Sequence, residues 1–83
     1  MKRSNAVEME NREIMRVARA ERGMTQTELA ERMGMLRNGL SMNLSRPRIS
    51  LDMFTRILDA MGYDVVVVDR EDGSEKWRVK VPE

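Results

Sequence analysis

The ten residues TQTELAERMG, at positions 25 to 34, leave few options for the chain around them. Thr25 and Glu28 stand at the spacing of a capping box, in which the threonine hydroxyl accepts from the Glu28 amide and the carboxylate reaches back, so a helix begins here. Gly34 supplies its stop. Barely two turns fit between the two signals. A helix that short is not stable alone, and its one apolar face, Leu29, Ala30 and Met33, has to be buried against neighbours.

Three further helices are predicted to provide that cover. The first spans residues 11 to 22, with Ile14, Val17, Ala18 and Glu21 on one side and Gly23 as its end. Another covers 36 to 44, where Leu36, Leu40 and Leu44 recur every four residues. The last starts at a Ser50 cap, carries Leu51, Phe54, Ile57, Leu58 and Met61 as an apolar stripe, and closes at Gly62. After Gly62 the period changes. YDVVVVD at 63 to 69 is rich in β-branched residues, and Trp77, Val79 and Val81 alternate with Arg78 and Lys80, so two strands flank the turn residues Glu71, Asp72, Gly73 and Ser74. Trp77 is expected in the core of this hairpin. The fold class is therefore mainly α: four helices over residues 11 to 62, then a C-terminal β-hairpin over 63 to 82, in a single domain of 1 to 83.

Composition limits the chemistry. Among 83 residues there is neither cysteine nor histidine, so a disulfide framework, a Cys/His zinc site and a histidine-based acid/base machine are all excluded. An enzyme is not expected, nor a cofactor or metal. The longest apolar run, Val65 to Val68, is far below the roughly 18 residues of a membrane span, and the N-terminus lacks a hydrophobic signal core, so the chain reads as cytoplasmic.

Charge is unevenly placed. Residues 1 to 48 hold ten basic and six acidic side chains, whereas residues 49 to 83 hold five and eight, which hides a basic front half inside a net charge of +1. Between Glu31 and Asp52 there is no carboxylate at all, yet Arg32, Arg37, Arg46 and Arg48 fall inside that gap. Lys2 and Arg3, ahead of the first helix, read as an unstructured basic tail rather than an arm along a polyanion.

Two short helices joined by a glycine-containing turn describe a helix-turn-helix. The segment RGMTQTELAERMGMLRNGLSMNL also resembles the bipartite motif of the Xre/Cro family, the λ repressor-like DNA-binding domains: Thr25 and Gln26 open the first motif helix, Leu29 and Ala30 lie at its centre, Met33, Gly34 and Met35 form the turn, and Leu40 sits on the second helix. The likeness runs from about residue 13 to 62. It implies a four-helix λ repressor-like fold and binding to double-stranded DNA. Two departures stand out: Leu44 takes the inward role one position later than in most relatives, as in a phage-like subgroup, and Leu36 replaces the usual Ser or Thr cap of the recognition helix.

The angular positions of that helix define a candidate reading face. With Leu36, Leu40 and Leu44 inward, Asn38, Ser41, Met42 and Ser45 lie opposite and Arg37 at their edge. In a major groove Asn bonds the adenine edge, Arg the guanine edge, Ser either, and Met covers a thymine methyl. Arg37, Asn38, Ser41 and Met42 are therefore expected to read bases, and Asn43 to be structural. Gln26 and Thr27, at the start of the preceding helix, with Ser45, Arg46 and Arg48, are expected on phosphates.

One recognition helix reads only a few base pairs, so a homodimer on a palindromic operator is expected, most plausibly a repressor. The hairpin is its natural joint, through Val65, Val66, Val67, Val68, Trp77, Val79 and Val81. Two other readings fit the same residues. One is an antitoxin whose acidic tract, Asp64, Asp69, Glu71, Asp72 and Glu75, meets a basic toxin protein; the other is a protein-interaction module that has lost DNA binding. No small-molecule ligand is expected.

Overall fold

The computed structural model describes residues 6–83, so Lys2 and Arg3 lie outside the described residues. Four helices run in the order α1 (Asn11–Glu21), α2 (Gln26–Met33), α3 (Arg37–Ser45) and α4 (Leu51–Ala60), followed by strands β1 (Val66–Val68) and β2 (Glu75–Arg78). The architecture is mainly α with a two-stranded antiparallel hairpin at its end.

Local signals set the helix ends. The Thr25 hydroxyl accepts from the Glu28 amide at 3.1 Å and the Glu28 carboxylate accepts from the Thr25 amide at 3.2 Å, so the capping box is complete. Ser50 caps α4 through the Met53 amide at 3.1 Å. Gly34 takes φ +66, a left-handed conformation cheap only for glycine, and lets the Met35 amide turn back to the Ala30 carbonyl at 2.9 Å. Gly62 ends α4 in the same manner, with the Tyr63 amide donating to the Leu58 carbonyl at 2.9 Å.

Met15, Leu29, Leu40 and Ile57, one from each helix, meet in a fully enclosed core with Ala18, Met24, Ala30, Leu58 and Met61 around them. Here α1 packs on both α3 and α4, and α2 does the same. That double packing widens the buried arc of α1: Met15 is its most enclosed residue, while Ile14 and Val17 are half-buried and Glu21 is exposed. Similarly Leu51, expected in the α4 stripe, stands exposed at the first turn, and Thr55 takes the buried place.

The third helix departs most from expectation. It starts one residue later than the leucine spacing predicts, with Leu36 at the N-cap in extended conformation (φ −72, ψ 142) and 84% exposed. A residue outside the helix does not follow its wheel, so Leu36 swings away and Met35 packs against the core in its stead. Leu40 is wholly buried and Leu44 is half-buried against the same core.

The hairpin pairs Val66 with Arg78 and Val67 with Trp77, then shifts register so that Val68 faces Glu75. Its ladder extends through the Val79 amide to the Val65 carbonyl at 2.7 Å. Both strands are shorter than the valine run and the 77 to 81 alternation suggest, because β2 begins at Glu75 and ends before Val79. Asp69 and Asp72 shape the tip, accepting from the Glu71 and Ser74 amides at 2.8 and 2.9 Å. Of this hairpin's strand-flanking apolar residues, Val65 packs on the helical core, whereas Trp77 is 69% exposed and Val66 and Val67 are also open. Trp77 is thus not a core residue: a two-stranded sheet has no second layer to cover the Val67–Trp77 face.

Candidate nucleic-acid interface

On α3, Leu40 and Leu44 turn inward and thereby leave Arg37, Asn38 and Met42 on the open side. Met42 is 58% exposed, and neither Arg37 nor Asn38 makes a side-chain hydrogen bond or ion pair among the described residues. Asn43 does, donating from Nδ2 to the Gly39 carbonyl at 2.9 Å, which ties it to its own helix as expected. Ser45 donates to the Met42 carbonyl at 3.1 Å and closes the last turn. Ser41 is half-buried and faces the neighbouring helices more than Asn38 does.

A shallow groove of about 240 Å³ adjoins this face, and it gathers side chains from three helices. Ser41, Leu44 and Ser45 come from α3, Gln26 from the start of α2, and Arg12, Glu13, Arg16 and Arg19 from α1. Thr27 is exposed on α2 beside Gln26 but does not line the groove. The α1 arginines Arg12, Arg16 and Arg19 lie outside the set of site residues expected from the sequence. Arg16 donates to Glu13 at 2.8 Å, and this hydrogen bond, with the Arg16 charge, holds the Glu13 carboxyl below the usual carboxylate range. The one carboxylate in the groove is thereby held ionised and paired with Arg16.

The four arginines of the acid-free stretch divide into two groups. Arg32 donates to the Ala60 carbonyl at 3.2 Å, and Arg22 from α1 donates to the Met61 carbonyl at 3.0 Å, so both hold the negative end of α4. Arg37, Arg46 and Arg48 stand exposed without an acidic partner among the described residues. Arg46 and Arg48 flank Pro47 in the loop after α3. Exposed guanidinium groups without acidic partners have the charge and donor geometry that phosphate oxygens accept.

The residues at the hairpin that were expected to join two copies fall into two sets. Val66, Val67 and Trp77 are open, while Val65, Val68, Val79 and Val81 are half-buried. In the acidic tract, Asp64 pairs with Arg78 at 3.3 Å, and Asp69 and Asp72 are engaged in the turn, leaving Glu71 and Glu75 without a side-chain bond among the described residues.

A family model described as helix-turn-helix matches residues 15–68, which takes in most of α1, the three helices after it and β1. The chain belongs to this helix-turn-helix family of Xre and λ repressor-like DNA-binding domains, a family of transcription regulators. Comparison with curated proteins and with solved structures gave no match. Among the described residues no helix is long and apolar enough to cross a membrane, and no cluster of acidic residues could hold a metal ion.

Proposed function

We propose that this protein is a homodimeric repressor that binds a palindromic operator, with α3 in the major groove of each half-site. The observation that carries this reading is the unpartnered, acid-free face of α3 set beside a groove where Arg12, Arg16, Gln26 and Ser45 converge. Arg37, Asn38, Met42 and, at the groove edge, Ser41 read bases. Gln26, Thr27, Ser45, Arg46 and Arg48 bear on phosphates, and the α1 arginines extend that rim beyond the set expected from sequence.

Exposed Val66, Val67 and Trp77 support dimerisation through the hairpin, because an isolated two-stranded sheet with open edges is marginal in water and a second copy supplies the missing cover. Two recognition helices then fall about 34 Å apart on one side of the duplex. A repressor acts here by occupying its site, and no catalysis is involved.

Selection from random duplex DNA at two salt concentrations tests the proposal. Recovery of a two-fold symmetric site with steeply salt-dependent affinity supports it; a pool that never converges refutes it. A second reading, an antitoxin, is favoured by the open, acid-bearing hairpin tip, where Glu71 and Glu75 are free to meet a basic partner. Copurification of a stoichiometric basic protein from the native host distinguishes the two.

A further inference from the structure

The starts of the helices differ in one respect. Thr25 and Ser50 cap α2 and α4 with hydroxyls, whereas Leu36 stands at the start of α3 and makes no side-chain capping bond. Leucine forgoes the hydrogen bond that serine or threonine provides at this position, and it is also the most exposed large apolar side chain among the described residues, at 84%. No packing role accounts for it: Met35 already fills the adjoining core position.

Its surroundings are polar and cationic. The next two residues, Arg37 and Asn38, are exposed, and no carboxylate occurs in the chain from Arg32 to Leu51. In the proposed docking, the first residues of the recognition helix reach base edges. The apolar feature that a major groove presents there is the 5-methyl group of thymine. An uncharged branched side chain at this point, flanked by a guanidinium and a carboxamide, is matched to a T·A pair next to the pair read by Arg37 or Asn38.

We propose that Leu36 is a specificity-determining residue that recognises a thymine methyl at the edge of each half-site. This assignment rests on the DNA-binding reading above and adds a base contact at a position otherwise given to helix capping. It separates what Leu36 does for the fold, which is little, from what it does for the complex.

The test uses the full chain and a site selected from random DNA, in which each thymine is replaced in turn by deoxyuracil, so that the methyl alone is lost. One thymine per half-site is expected at which the replacement weakens wild-type binding about fourfold, the equivalent of one buried methylene-sized group. In Leu36→Ala that penalty vanishes at that thymine while penalties elsewhere persist. Leu36→Ser adds the missing cap, so it melts at a higher temperature than wild type yet binds the thymine site more weakly. A deoxyuracil penalty unchanged in Leu36→Ala, or selected half-sites with no recurring thymine, overturns the assignment. Failure to select any site overturns the DNA-binding reading itself.

Discussion

The guanidinium of Arg22 lies over the ring of Tyr63, 4.2 Å from its centroid, while the Tyr63 hydroxyl donates to Glu21 at 2.8 Å. Two consecutive residues at the end of α1 thus grip the residue that follows Gly62, where the chain leaves α4 for the hairpin. Arg22 also holds the Met61 carbonyl, so one side chain links three points of the junction.

This junction has a definite pH dependence. The hydrogen bond to Glu21, followed by desolvation, raises the Tyr63 phenol above its ordinary pKa of 10.0. A group whose pKa is raised on folding contributes stability that is fully present below its unfolded value and is lost as pH rises through the folded one. The stability difference between wild type and Tyr63→Phe should therefore be constant through neutral pH and shrink above pH 10.0. Urea titrations across that range check it; a difference that grows with alkalinity would refute the assigned bond.

Thr55 is 2% exposed, and its hydroxyl has no hydrogen-bond partner among the described residues. A buried hydroxyl without a partner costs about 1 to 3 kcal/mol by mutational measures, and valine has the same shape and a similar helix propensity. Thr55→Val is expected to stabilise the fold by about 1 kcal/mol in chemical denaturation.

Glu13 is the carboxylate of the groove and it occupies Arg16. Glu13→Gln releases that arginine and removes a charge that repels phosphate. DNA binding should tighten, and the slope of log affinity against log salt should steepen by about one. Titrations between about 50 and 200 mM salt measure both.

Trp77 is the sole tryptophan of the chain, so its emission reports directly on the hairpin surface. If that surface joins two copies, the emission maximum moves to shorter wavelength as protein concentration rises and the sedimenting mass doubles. Trp77→Ser should yield a monomer with unchanged helical circular dichroism. A wild-type chain that stays monomeric while binding its site tightly would remove the hairpin from the dimer.

The helix-turn-helix was legible in the sequence because its signals are local. The capping box at Thr25 and Glu28, the Ser50 cap and the glycines at 34 and 62 each act within a few residues, and all four operate in the structure as expected. Leu36 misled because spacing of four is a rule for residues inside a helix, and without a capping side chain nothing in the sequence marks where α3 begins. Trp77 misled because apolar alternation says that a face wants cover without saying which molecule supplies it. The convergence of Arg12 and Arg16 with Gln26 and Ser45 is a product of how α1, α2 and α3 pack, and periodicity along one helix does not reveal it.

A paired comparison of Asn38→Ala with Arg46→Ala separates base reading by α3 from phosphate binding by the loop after it. On the selected operator Asn38→Ala should lose about 1 to 3 kcal/mol of discrimination with nonspecific binding and salt slope intact. Arg46→Ala should weaken operator and random DNA alike and reduce the slope by about one. If instead both substitutions lower both affinities in equal measure, Asn38 reads no base and the assignment of the recognition face is wrong.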